Sequence, residues 1–177
     1  MEKVPVIIDC DPGHDDMVAL VLALGSQRLD VKAITNVAGN KVMEKVVKNT
    51  LNILNYCGAE CIVAPGASRP IVRAYTRTDS EGCHGVSGLD GFDFPRDNPL
   101  KPSDRKAVEV MAEILRSSKE KVVLIGTGPL TNLGLLIRTF PELCEEKVRG
   151  ISLMGGTCHF ILTRPFMEFN TYLDAEA

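Results

Sequence analysis

Several common signatures are missing from this 177-residue chain. It has no basic excess: 20 Lys and Arg stand against 23 Asp and Glu, a formal net charge of −3, so no electrostatic feature recommends a nucleic-acid partner. It has no long apolar run. The longest, Met17 to Leu24, is far too short to cross a bilayer, and no membrane partner is expected. The opening Met1-Glu2-Lys3 passes straight into Val4-Pro5-Val6-Ile7-Ile8 without the charged start, apolar stretch and cleavage site of a secretory leader. None of the six cysteines, Cys10, Cys57, Cys61, Cys83, Cys144 and Cys158, forms a C-x-x-C pair. They read as reduced, mostly buried thiols, and the expected location is the cytoplasm. With 45% hydrophobic residues, the chain has enough apolar material for one globular domain spanning residues 1–177.

Val- and Ile-rich runs alternate with stretches of helical period, the pattern of βαβ units. The fold class is therefore α/β, an open, mainly parallel sheet flanked by helices. Strands are predicted near Val4 to Asp9, Val31 to Thr35, Cys61 to Ala64, Val122 to Gly126 and Ile151 to Met154. Helices are predicted from about Asp15 to Leu24, then through Met43 to Leu54 with Lys41, Glu44, Lys45 and Lys48 facing water and Gly58 as the stop. A third is expected to start at Ser103-Asp104 as N-cap, and a fourth at Pro129 to Asn132. The stretch from Pro65 to Pro102 holds five of ten prolines and five of fifteen glycines and cannot be one regular element. Such long connections are often functional.

Asp9, Asp11, Asp15 and Asp16 crowd the end of the first strand, with no Lys or Arg among them. Like charges at the carboxyl end of a buried strand raise one another's pKa unless a cation compensates, and an all-oxygen set suits Ca²⁺ or Mg²⁺ better than zinc. Asp15 and Asp16 fall in a first helical turn, where the dipole favours negative charge. Cys10, alternating with its acidic neighbours, should point to the other face as a core thiol, and His14 reads as a rim residue. His159 reads as structural.

The run Ile8 to Leu20, with Asp9-Cys10-Asp11-Pro12-Gly13-His14-Asp15-Asp16 at its centre, resembles the D-x-D-P-G-x-D-D signature of inosine-uridine-preferring nucleoside hydrolases. The resemblance extends to Asn36-Val37-Ala38-Gly39-Asn40, His84 to Gly91, Gly126 to Asn132, Met154-Gly155-Gly156 and Glu168-Phe169-Asn170. It implies a Rossmann-like nucleoside hydrolase fold and Ca²⁺-dependent cleavage of the N-glycosidic bond of ribonucleosides to ribose and free base. It further implies that Asp11 is a metal ligand and general base, with Asp16 and the backbone carbonyl of Thr127 as further ligands. Asp15, Asn40, Met154, Glu168 and Asn170 would contact substrate, and Asp9 would orient the ligands from behind. His84 would act as proton donor to the departing base or as part of a lid.

Two departures from the family pattern bear on activity. Leu162 stands where the family carries an asparagine that reaches the ribose, which weakens recognition by about 1–3 kcal/mol. Leu173 to Ala177 fall where the family continues into a C-terminal part that supplies a histidine near the base and a further aspartate, so the domain is expected to be incomplete there, with weaker calcium affinity. Apolar sheet surface left uncovered would favour a homo-oligomer. The alternative to an active hydrolase is an inactive relative that keeps a weak metal and ribose site. A phosphatase of the haloacid dehalogenase type also places D-x-D after a strand, but Pro12-Gly13 and Asp15-Asp16 do not suit it.

Overall fold

The computed structural model describes residues 2–75, 82–156 and 168–177. Five strands, β1 (Val4–Cys10), β2 (Leu29–Asn36), β3 (Ile62–Pro65), β4 (Val122–Gly126) and β5 (Val148–Leu153), form one sheet in the order β3-β2-β1-β4-β5. Every pairing is parallel. The order reverses at β1, between β2 and β4, which is where open sheets of this kind place a ligand at the carboxyl ends of their strands. Asp11 follows β1 at that point and Thr127 follows β4.

The helices are α1 (His14–Gly25), α2 (Met43–Cys57), α3 (Ala107–Ser117), α4 (Thr131–Thr139), α5 (Pro141–Lys147) and α6 (Phe169–Leu173). Alternation along β1 divides the core in two. Ile7 points to one face and packs with Val110, Met111 and Leu115 of α3 and Leu136 of α4. Val6, Ile8 and Cys10 point to the other, with Leu20 of α1 and Ile53 and Leu54 of α2. Cys10 is fully buried, as its alternation with the aspartates requires. All five described cysteines are free, two of them buried and Cys83 exposed. Among the described residues no helix is long and apolar enough to cross a membrane.

Gly58 ends α2 in the left-handed region at φ 59°, and Ala59 N donates to Leu54 O at 3.0 Å. An added Cβ there would meet nothing within 4 Å, so Gly58→Ala tests backbone conformation alone. It is expected to lower unfolding stability by about 1 kcal/mol, read as a lower urea midpoint with unchanged m.

Three details differ from the sequence reading. α3 begins at Ala107 after Lys106, not at Ser103-Asp104, because Glu109 Oε2 accepts from Lys106 N while Ser103 Oγ closes a local turn by accepting from Arg105 N. Lys41 is buried rather than facing water, since the loop containing Gly88 folds over its aliphatic stem. The short helices α5 and α6 were not expected. Apolar side chains remain exposed on the outer stripe of α1, at Val18 and Leu22, and along β5, at Ile151 and Leu153.

Candidate active site

The carboxyl ends of β1 and β4 bring together most of the polar residues singled out in the sequence. Asp9 is buried and both supports and is supported by its neighbours: Oδ1 accepts from Thr35 Oγ1 at 2.6 Å and Asn132 Nδ2 at 2.8 Å, and its carbonyl accepts from Thr127 N. Its other oxygen, Oδ2, has no partner among the described residues. Burial, only partly offset by those two hydrogen bonds, pushes Asp9 up to about 7.

Asp11 is the centre of the cluster. Asn40 N donates to its Oδ2 at 2.5 Å, and Asn40 Nδ2 donates to its backbone carbonyl at 3.2 Å. Burial first, and the charge of Asp16 second, hold the Asp11 carboxyl well above the usual carboxylate range. Two glycines make the space. A Cβ at Gly39 would overlap Asp11 Oδ2, and one at Gly128 would lie 2.6 Å from Asp11 Oδ1. These two glycines, in different motifs, are needed for one carboxylate.

Asp16 lies in the first turn of α1, with Gly13 N donating to its Oδ2 at 3.4 Å and Oδ1 unpartnered among the described residues. Burial pushes it up to about 6, although the nearby Thr127 hydroxyl and the Gly13 amide favour its charged form. The Thr127 hydroxyl itself makes no full hydrogen bond among the described residues. Asp15 is exposed, with Oδ1 3.6 Å from His84 Nε2. His84 comes from the irregular segment and seats on Gly13, whose missing Cβ leaves room for the ring. Its Nδ1 accepts from His14 N at 3.2 Å, which places the Nε2 hydrogen toward Asp15. His14 also reaches Asp90 O through Nε2 at 2.9 Å, so it is a rim residue that ties the loop down. Asp90 holds that loop together from within: hydrogen bonds from the Ser87 hydroxyl and from the Ser87 and Val86 amides lower its carboxyl to about 2.

The opposite wall comes from α6. Asn170 is buried and its Nδ2 donates to Thr127 O at 2.9 Å and Met154 O at 3.1 Å. Glu168 caps α6 by accepting from Asn170 N and Thr171 N. Met154 joins this wall through its carbonyl, while its N donates to Gly126 O. Leu162, Cys158 and His159 lie outside the described residues.

Asp11, Asp16 and the Thr127 carbonyl fit a hard divalent cation: among the described residues two desolvated carboxylates face neutral groups, the Asn40 and Gly13 amides among them, and one Asp16 oxygen is unpartnered. Among the described residues no three His, Cys, Asp or Glu side chains converge on one point, so such a cation would draw the rest of its shell from the carbonyl and water.

Sequence reasoning missed the supports. Asn132, fully buried, donates to Asp9 Oδ1 and to Asn36 O at 2.9 Å and accepts from Ala67 N at 2.8 Å. Asp174 accepts from Thr131 Oγ1 at 2.6 Å and Ile71 N at 3.0 Å, fastening α6 to α4. Asn132 and its partner Asn36 both sit inside the quoted motifs, and a polar Asn36 at the end of an apolar strand was the available signal. Asn132→Ala would leave Ala67 N without its acceptor, while Asp9 Oδ1 keeps Thr35 Oγ1 and Asn36 O keeps Gly66 N, and it is expected to destabilise the chain by about 1–3 kcal/mol in urea unfolding.

A family model described as inosine-uridine preferring nucleoside hydrolase matches residues 6–177. The chain is 46% identical over 174 residues to the pyrimidine-specific ribonucleoside hydrolase RihA of Escherichia coli O1:K1, covering 98% of this chain and 55% of that protein. Among solved structures, a plant nucleoside hydrolase, PpNRh1, superposes with a TM-score of 0.88 at 31% identity, covering 99% of this chain and 55% of that one. A purine-preferring ribonucleoside hydrolase from Gardnerella vaginalis gives 0.84 at 28% identity, with 97% and 55% covered. The chain thus spans about half the length of the relatives it matches.

Proposed function

Because the chain belongs to the inosine-uridine preferring nucleoside hydrolase family, we propose that it hydrolyses the N-glycosidic bond of ribonucleosides, releasing ribose and the free base. The observation that carries this reading is the buried Asp11 carboxylate, set between two glycines beside Asp16 at the switch point of the sheet.

Asp11, Asp16 and the Thr127 carbonyl would hold a divalent cation, Ca²⁺ by the preference of an all-oxygen set, which when bound supplies Lewis acidity toward water. Asp11, at the centre of the cluster, accepts the proton of the attacking water. Asp9 stays behind it and fixes the strand end through Thr35 and Asn132. Asp15 and Asn40 bind ribose hydroxyls on one side, and Glu168, Asn170 and Met154 border the other. Because Asn170 Nδ2 is committed to two carbonyls, its free contribution to a hydroxyl is Oδ1. Carboxylates around the ring stabilise the positive charge that develops as the bond breaks. His84, with Nε2 on the Asp15 side, donates a proton to the departing base or closes the loop over it.

The chain is read as one nucleoside-hydrolase-like domain acting in the cytoplasm, in keeping with its free cysteines. The exposed apolar stripe of α1 and edge β5 support self-association into a homo-oligomer. One observation favours a second reading, an inactive relative that retains metal and ribose binding: among the described residues no three His, Cys, Asp or Glu side chains gather at the cation position.

Reducing-sugar release from inosine, uridine, cytidine and adenosine, with and without a calcium chelator, separates the two. Chelator-sensitive release is the expected result. No release from folded, calcium-replete protein would overturn the hydrolase reading in favour of the binding-only one.

A further inference from the structure

A second cavity of about 450 Å³ lies between α2 and the loop 87–96, and none of the residues assigned to the acidic site lines it. Its walls combine two chemistries. Lys45 and Lys48 of α2 and Arg96 of the loop bring three cationic side chains against one carboxylate, that of Asp93. Phe92 and Phe94 supply aromatic surface, their rings 4.7 Å apart, and the exposed Tyr56 buttresses Phe92 edge-on at 5.0 Å. Asn49, a polar side chain with only 4% of its surface exposed, lines this cavity too. Clustered lysine and arginine recognise phosphate, and aromatic rings next to them recognise a planar base. The volume falls within the range of small-molecule pockets.

We infer that this cavity is a second ligand site, for a nucleoside 5′-monophosphate: a planar aromatic base on the Phe92–Phe94 surface with its phosphate among Lys45, Lys48 and Arg96. A neutral nucleoside lacks the anion these cations call for, and inorganic phosphate lacks the ring. The site is wired to the acidic centre. Asn49 Nδ2 donates both to Pro12 O at 3.1 Å, in the turn after Asp11, and to Ser87 O at 3.0 Å, in the loop that seats His84. Lys45 Nζ donates to Val86 O in the same loop at 2.9 Å. An occupant therefore bears directly on the loop that holds His84 against Gly13. Binding stands on the cavity alone, and only its effect on turnover rests on the hydrolase reading.

The test is calorimetric titration of the full chain with uridine 5′-monophosphate, uridine and inorganic phosphate, repeated on three variants. Asp11→Asn disables the acidic site without touching the cavity, the exposed pair Lys48→Glu with Arg96→Glu reverses its charge, and Phe92→Ala removes its ring. The inference expects the monophosphate to bind equally well to the wild type and Asp11→Asn. It expects about tenfold or greater weakening on charge reversal and about fivefold or greater weakening in Phe92→Ala, with circular dichroism unchanged. It is overturned if the monophosphate fails to bind the folded chain, or if its binding survives charge reversal and is lost in Asp11→Asn, which puts it in the acidic cleft. Equal affinity for inorganic phosphate, with no effect of Phe92→Ala, also overturns it and leaves a simple anion patch. Sugar-release activity enters none of these outcomes, so failure here and failure of the hydrolase reading are distinguishable.

Discussion

Asp11→Asn is expected to lower kcat/KM for every accepted ribonucleoside by about a thousandfold while raising the melting temperature of the chelator-treated protein. On the proposed hydrolase reading the loss follows from removing the general base, a role that contributes on the order of a hundredfold to ten-thousandfold. The substitution is nearly isosteric: an amide oxygen still accepts from Asn40 N, and the space between Gly39 and Gly128 is unchanged. The gain in stability has a separate cause. Burial and the Asp16 charge both oppose ionised Asp11 when no cation is bound, and a neutral amide escapes that penalty. Each kcal/mol recovered corresponds to about 2–4 °C in a chain of this size. Sugar release and differential scanning calorimetry on the same samples check both halves. A variant that is inactive and less stable would show that Asp11 holds the fold together, and a stable, active one would remove it from the chemistry.

The parts of this molecule that were readable in advance are those in which the signal is local. β4 spans Val122–Gly126 as its apolar run predicts, and Gly58 stops α2 because a left-handed residue at that point is a property of the residue itself. Asp9, Asp11 and Asp16 lie close enough to feel one another's charge because eight consecutive positions leave a strand end and a helix start little freedom to separate them. Where the signal depends on partners distant in sequence, the reading stopped short. Asn132 reaches Asp9 across 123 positions, and Asn49 reaches Ser87 across 38; neither shows in a pattern of apolar period. Lys41 falls in line with the polar stripe of α2 by spacing, but it precedes the helix and a loop passing over it buries it. α5 and α6 are two turns or fewer, too short for periodicity to declare itself, and α6 depends on Glu168 capping its first amides and on Asp174 anchoring its end. The same logic applies to Gly39 and Gly128. Each is visible as a glycine within a motif, yet only the fold shows that both make room for one carboxylate.

With calcium chelated, the protein is expected to be more stable at pH 5 than at pH 8, opposite to the behaviour of a fold whose carboxylates are mostly salt-bridged. Asp16 at about 6 and Asp9 at about 7 lie above the ordinary aspartate value of 3.8, both chiefly through burial. Between 3.8 and those values the native state keeps protons that the unfolded chain has released, so the unfolded state binds fewer and stability falls as pH rises. The contribution of these two groups is complete below about 3.8 and is lost once pH has passed about 7, and Asp11, which burial also holds well above the ordinary range, acts in the same direction. A tenfold change in proton affinity is worth about 1.4 kcal/mol, so the loss across the window amounts to several kcal/mol. Asp90, lowered to about 2, works in the other direction, but its window lies below pH 4 and does not interfere. A cation held by Asp11 and Asp16 competes with those protons. Added calcium is therefore expected to raise the melting temperature markedly at pH 8 and little at pH 5, and Asp11→Asn should shrink the pH 8 response. Melting curves at both pH values, in chelator and in calcium, give four numbers that must fall in that order. A chelated protein whose stability is level or rises from pH 5 to pH 8 would mean that the acidic cluster is hydrated and not desolvated, and would remove the physical reason for placing a cation there.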